Sequence, residues 1–404
     1  MRTAWEPEMT ADIHPSSRQR GGDSLLTNPT VRSIVIQVLL VVGLAAFAWW
    51  IIDNTAQNLA SANIASGFGF LDSRSGFDIA QTPIAYSSNS TYGQAILVGI
   101  ANTLIIAASG VIVATIIGFL VGIGRLSRNF LIRTLSTVYV ETFRNIPPLL
   151  VILFWYFGVL SVLSGPRGLA ESPIGVYLTN RGLQTPSVLF QPLAWAAFAA
   201  LLVGILATVG LARYSRKKQL ATGERTPVLW PAIGMIVGLP ILVFVLTGVP
   251  AALEFPTASR FNLAGGIQIR PEFIALLLAL SIYTAAFIAE IVRAGILSVS
   301  KGQTEAASAL GLKRGQLLRL VVVPQAFRVI IPPLTSQYLN LTKNSSLGLA
   351  IGYPELVAIG STVLNQSGQS IEVVVIWMVV YLGISISVSL LMNWFNSKMA
   401  LVER

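Results

Sequence analysis

The sequence predicts an all-α polytopic membrane protein of about eight transmembrane helices, and three observations carry that prediction. Of its 404 residues 54% are hydrophobic and only 11% are charged, less than half of the roughly 25% charge of an ordinary soluble domain. Apolar runs of about 18 or more residues, enough to cross roughly 30 Å of hydrocarbon as a helix, recur along the chain. Lys and Arg gather between alternate runs, as they do in the cytoplasmic loops of membrane proteins.

The first run lies near Ile34 to Ile52, with Trp49 and Trp50 at its outer end. Ala46-Phe47-Ala48 resembles a signal-peptidase site, but 33 residues precede the run, which favours an uncleaved anchor. A polar stretch from Asp53 to Gly93, holding three acids and the single base Arg74, reads as an outer loop. The second run spans about Gln94 to Ile123 and leads to Arg125, Arg128 and Arg133, and the third spans about Pro148 to Leu163. After a mixed loop of about 165 to 191, a fourth run near Pro192 to Leu211 ends in Arg213, Arg216, Lys217 and Lys218.

The fifth run lies near Val228 to Val249, the sixth near Glu272 to Ala289, and the last two near Val329 to Ile351 and Ile371 to Trp394. Eight spans put both termini in the cytoplasm, with about 21 of the 27 basic residues inside, five outside, and Lys343 within a span. The seventh run, with Pro332, Pro333, Lys343 and many Ser, Thr and Asn residues, is expected to pack against protein rather than lipid.

Several classes of function are excluded. Without cysteine there are no disulfides, iron–sulfur clusters or thiolate zinc sites. His14, the sole histidine, lies in the polar N-terminal tail and reads as a solvated side chain. The formal charge of +10 follows the loops instead of forming a basic domain with interleaved aromatics, so nucleic-acid binding is not expected. An ion-driven secondary transporter, the alternative reading, needs carboxylates or a proton relay within its spans. None lies mid-span. No G-x4-G-K-[ST] stretch exists to cradle ATP phosphates, and no nucleophile, base and metal-ligand constellation points to an enzyme.

One segment does not belong in the bilayer. From Glu290 to Arg319 it carries seven charges, which at mid-bilayer would cost on the order of 20 kcal/mol. Ser300-x-x-Gln303 has the spacing of a capping box, Thr304 to Leu310 is rich in alanine, and Gly311 suits the left-handed residue that ends a helix. A second helix, from about Lys313 to Val323, is expected to stop at Pro324. Two short helices joined at a glycine form a knuckle. By geometry alone it is either a plug for a partner's socket or a connector with ordinary caps.

The pattern Glu305-Ala306-Ala307, three residues, Gly311, nine residues, then Val321-x-Val323-Pro324 resembles the EAA loop of ABC importer permeases, EAA-x3-G-x9-I-x-L-P, with Val replacing Ile and Leu. Glu141-Thr-Phe-Arg144-Asn145-Ile146-Pro147-Pro148-Leu149, Ala289-Glu290-Ile-Val-Arg293-Ala-Gly295, Pro324-Gln325-Ala326-Phe327-Arg328 and Asn340-Leu-Thr-Lys343-Asn-Ser-Ser346-Leu resemble the polar amino-acid (HisM/HisQ-like) branch. The extra first span, the inserted fourth and fifth spans and Phe70-Leu-Asp72-x-Arg74-x-Gly76-Phe77 look like the general L-amino-acid (Aap/Bzt-type) permeases, Q-like subunit.

That resemblance implies a type I ABC importer permease fold in the bacterial inner membrane. The implied layout is a cytoplasmic tail (1–32), an extra helix with a periplasmic loop (33–94), and a permease domain (95–395). That domain holds an inserted helix pair at about 192–249 and the EAA loop at about 290–325, and a cytoplasmic tail (396–404) follows. It implies alternating-access import of L-amino acids, no cofactor on this chain, and a cytoplasmic ATPase dimer that uses ATP and Mg and grips Glu305, Ala306, Ala307, Gly311 and Pro324. A second permease subunit, a periplasmic amino-acid-binding protein and membrane lipid complete the partners.

Polar groups within the spans, Asn102, Thr103, Thr115, Thr284, Ser336, Gln337 and Lys343, divide between packing and substrate contact. Asn102, Thr284, Gln337 and Lys343 are the candidates for the substrate path. Most Ser and Thr in such helices bond their own backbone, and a Lys near a helix end can snorkel to the interface. Gly118-x3-Gly122 offers a close helix approach. Glu141 with Arg144, and Glu290 with Arg293, are spaced to pair along helices.

Overall fold

The computed structural model describes residues 29–61, 66–166, 172–224, 227–249, 251–258 and 263–399. The N-terminal tail with His14 and the last residues of the C-terminal tail lie outside them. The chain divides into two units, Met1–Gly67 and Phe68–Arg404.

The first unit contributes one described helix, α1 (Pro29–Ser61), with exposed apolar side chains from Ile34 to Ile52. It runs nine residues past the end of the predicted span. Gln57 donates to Asp53 at 2.8 Å, one helical turn apart, which carries the helix into residues that composition alone assigns to a loop.

The second unit opens with an ordered loop. Ser75 Oγ and the Tyr86 hydroxyl are 2.8 Å apart, that hydroxyl donates to Phe77 O, and Arg74 bridges back to Thr91. Thr91 then caps α2 (Tyr92–Gly124) through a reciprocal box, Gln94 N–H to Thr91 Oγ1 and Thr91 N–H to Gln94 Oε1, each 3.2 Å. Asn129 caps α3 (Phe130–Asn145). The chain turns by 109° into α4 (Pro148–Leu153), which widens to a π-helix over Phe154–Leu160. Ile146, pinned in extended geometry by Pro147, is where the helix breaks.

The loops between spans hold short strands that the all-α reading does not anticipate: β1 (Tyr177–Thr179), β2 (Gly182–Thr185) and β3 (Ser187–Phe190). The inserted pair follows as α5 (Ala194–Thr222), α6 (Leu229–Ile233), a π turn, and α7 (Leu239–Leu246). Then come β4 (Ala251–Glu254), β5 (Thr257–Ala258), β6 (Leu263–Ala264) and β7 (Ile267–Ile269). β1, β2 and β7 form an antiparallel sheet, β3 pairs with β4, and β5 pairs with β6. These runs are too short and too mixed to read as strands without their partners.

α8 (Pro271–Leu297) is the centre of the unit and packs along α2. A side chain at Gly118 would meet Ile288 Cβ at 2.6 Å, and one at Gly122 would meet Ala289 O at 2.7 Å. The small-xxx-small spacing therefore lets the two backbones touch, and a methyl group at either position drives them apart. Ile106, Leu276, Leu280, Ile288, Ile330 and Leu341 fill the surrounding core.

Next come α9 (Lys301–Ala309), α10 (Arg314–Leu317), a π turn over Leu318–Val322, α11 (Val323–Asn344) with a 3₁₀ extension over Ser345–Ile351, α12 (Leu356–Ser367) and α13 (Ser370–Met399). Seven helices among the described residues are long and apolar enough to cross a membrane, or eight if the bent α3–α4 pair counts as one span. Two local expectations fail. Pro324 does not stop a helix: the π turn before it widens the backbone, with Val323 N–H bonding Leu318 O, and the helix continues through the proline. α12 has no counterpart among the expected elements, being too short to signal as a span.

Candidate functional site

α9 begins at Ser300. The capping box expected there does not form: Ser300 makes no side-chain cap, and Gln303 N–H donates to the Ser300 carbonyl. The other end closes as predicted. Gly311 has φ +77°, its N–H donates to Ser308 O at 2.9 Å, and Leu312 N–H reaches back to Ala307 O at 3.2 Å, the paired bonds of a Schellman ending. The next turn is set by Gln316, whose Oε1 accepts the Lys313 N–H at 3.0 Å.

This knuckle buries one member of its motif and presents the rest. Ala307 is 5% exposed and seats α9, whereas Glu305, Ala306 and Gly311 are exposed and Glu305 makes no ion pair among the described residues. Leu310 is 82% exposed at the tip. Sequence reasoning missed it, since a single leucine before a turn glycine reads as an ordinary helix end. Pro324 is half-buried, and next to it Gln325 Nε2 reaches Gln303 Oε1 at 3.4 Å, joining α9 to the start of α11.

The knuckle follows an ion-pair cluster that ties three helices together. Glu290 on α8 accepts from Arg293 at 2.5 and 3.1 Å and from Arg125, which follows α2. Arg125 also reaches Glu141 on α3 at 3.5 Å. The Glu290–Arg293 spacing is thus realised as expected. The Glu141–Arg144 spacing is not: Glu141 turns to Arg125, and the Arg144 guanidinium lies 5.5 Å from the Phe287 ring centroid. Arg125 is the residue that links the two carboxylates, and its spacing from both along the chain gave no hint of this.

The candidate path residues separate. Asn102 is fully buried and spends its amide hydrogens on Gln81 O (3.0 Å) and Pro354 O (2.9 Å), so it ties α2 to the segments before it and before α12. Thr103 receives the Leu356 N–H at 3.1 Å. Thr284 is buried within α8's packing. Gln337 is half-buried and Lys343 exposed on α11, with Lys343, Ser346 and Tyr381 lining a shallow cavity of about 300 Å³. Thr115 bonds Val111 O and the Tyr338 hydroxyl, and Ser336 is exposed.

One acid carries no signal in the sequence. Glu355 is fully buried at the start of α12, where its carboxylate accepts Val357 N–H at 2.8 Å, Ala358 N–H at 2.7 Å and the Tyr381 hydroxyl at 3.3 Å. Burial pushes its pKa up to about 7, against the pull of those bonds. Its two backbone bonds are those of a helix cap, and the third ties the start of α12 to Tyr381 on α13.

Residues 225–401 match the family described as the binding-protein-dependent transport system inner membrane component. The chain is 60% identical, over 94% of its length and 95% of the relative's, to the general L-amino acid transport system permease protein AapQ of Rhizobium johnstonii. This chain belongs to the amino-acid ABC transporter permease family. It is 48% identical to the putative amino-acid ABC transporter permease protein YhdX of Escherichia coli K12, over 97% of this chain and all of that one. The glutamate/glutamine/aspartate/asparagine transport system permease protein BztB of Rhodobacter capsulatus is 41% identical over 94% and 96% of the two chains. Family and apolar helices together make it a multi-pass inner-membrane permease.

Proposed function

We propose that this permease forms one half of the pore of an ATP-driven importer of L-amino acids, completed by a second permease subunit and served by a periplasmic binding protein. A cytoplasmic ATPase dimer, using ATP and Mg, grips α9 and transmits its closure to the spans, so hydrolysis belongs to the partner. The observation that carries this reading is the knuckle, which combines a rigid glycine-closed turn, a seated Ala307, and an exposed face of Glu305, Ala306 and Leu310 that can enter a socket. Both termini are cytoplasmic in this scheme, residues 192–249 are an insertion in the permease domain, and Gln337 and Lys343 remain the available contacts to the substrate path. The buried Glu355 does not favour an ion-driven mechanism, because its oxygens are occupied by the backbone of α12 and by Tyr381.

The test is co-purification of the tagged chain from gently solubilised membranes, followed by an ATPase assay. An ATPase and a second permease should accompany the chain. Gly311→Val, whose branched side chain disfavours φ +77°, should lose the ATPase, while Gly311→Asn, which tolerates that conformation, should keep it. A lone chain that transports without nucleotide would overturn the proposal. In the same system Lys343→Ala should weaken uptake of several amino acids, and unchanged affinity and rate would reduce Lys343 to a structural residue.

A further inference from the structure

We infer that the groove between the cytoplasmic end of α2 and the α10–α11 junction is a binding site for an anionic phospholipid. The cavity there is about 780 Å³, within the range of small-molecule sites. Its walls come from two elements that cross the bilayer, Leu120 and Ile123 at the end of α2 and Leu318 and Val323 at the entry to α11, with Ile132 added from α3. These side chains are 67, 55, 44, 42 and 49% exposed. Apolar side chains so open at the end of a span face lipid tails rather than water.

Arg128 and Arg314 line the same cavity, both are exposed, and neither has an ion-pair partner among the described residues. The nearby Arg125 and Arg293 are by contrast committed to Glu290. An apolar trough with two uncommitted guanidinium groups matches a molecule with an apolar tail and a negative head. Arginine forks bind phosphate bidentately, and basic pockets between helices on the cytoplasmic side hold anionic headgroups. Charge complementarity selects an anionic over a zwitterionic lipid, and the apolar walls select a lipid over a soluble phosphate or an acidic protein surface. Because Arg314 opens the helix that follows Gly311, lipid bound here would brace the knuckle from the membrane side.

Native mass spectrometry of the detergent-extracted permease complex, titrated with dioleoylphosphatidylglycerol and dioleoylphosphatidylcholine, tests this. The phosphatidylglycerol should be retained preferentially. Arg128→Gln and Arg314→Gln should each weaken its binding about fivefold, the double variant should abolish the preference, and Arg128→Lys, which keeps the charge but loses the fork, should weaken it less than Arg128→Gln. Arg213→Gln, in the basic cluster of α5, should change nothing. If the double variant does not assemble, the single variants still decide the matter. The inference is overturned if glutamine at either position leaves the preference intact, or if inorganic phosphate displaces the lipid at equal concentration. It is also overturned if the substitutions release a cytoplasmic partner while lipid retention is unchanged.

Discussion

The α2–α8 pair and the inserted α5–α7 pair are built from equally apolar sequence but are used differently. In α8, 56% of the most apolar stretch is buried inside the chain, against 17% in α5 and none in the run that ends with α7. Glycines mark the points of close approach in both pairs. Gly118 and Gly122 lie against the backbone and side chains of α8, and Gly204 of α5 lies against the Met235 backbone of the inserted pair, whereas a Cβ placed on Gly210 of α5 would meet nothing within 4 Å. Hydropathy therefore identifies helices that can cross a bilayer, while the repeated small-residue spacing of Gly118-x3-Gly122 marks the more extensively buried seam.

The largest expected effect breaks the first pair. Gly118→Leu should prevent stable folding, since overpacking costs about 1–3 kcal/mol even where neighbours can give and here the obstacle includes the α8 backbone. Gly210→Leu should leave the protein's thermal melt unchanged. Equal melts for both would dissolve the distinction.

The ion pairs should rank in the same way. Glu290→Gln strands Arg293 and leaves Arg125 only its longer pair with Glu141, and should lower stability by about 2 kcal/mol. Glu224→Gln removes only an exposed pair with Lys218 and should be nearly silent in the same melt.

Glu355 sharpens the contrast through pH. Its folded pKa of about 7 lies above the ordinary 4.5, so the folded state holds a proton that the unfolded chain releases. The contribution of Glu355 to stability should be largest below about pH 4.5, fall as pH rises towards 7, and level off above it. Glu355→Gln should flatten that slope in melts recorded from pH 4.5 to 8, and a slope unchanged in the variant would assign the effect to another group.

The smallest effect concerns the insertion. Phe190 and Ala251 are paired across β3 and β4, so replacing residues 191–250 by Asn-Gly should close an ordinary hairpin. ATPase co-purification should survive. Its loss would mean that the insertion braces the permease domain.

Much of this was legible in the sequence, because spans and basic loops follow directly from transfer energetics and the knuckle carries its own helix signals. Gly311 is the clearest instance: a left-handed residue was required at the end of an alanine-rich helix, and glycine supplied it. What stayed hidden depends on partners distant in sequence. The strands β2 and β7 define each other only when paired, Arg125 finds Glu141 and Glu290 only after α2, α3 and α8 assemble, and Asn102 becomes a tie because Pro354 arrives beside it. Pro324 misled for a local reason, since its usual meaning as a helix stop is cancelled by the π turn preceding it.

The central claim is that the exposed face of α9 couples this chain to a separate ATPase. ATP-driven amino-acid uptake by the complex reconstituted in proteoliposomes, compared with Ala306→Trp, tests it most directly. Ala306 is exposed, so the substitution should leave the permease's melt unchanged while blocking the socket, and uptake should fall at least about tenfold, the loss of roughly 1.4 kcal/mol of docking energy. Undiminished uptake with tryptophan at this position would contradict the account.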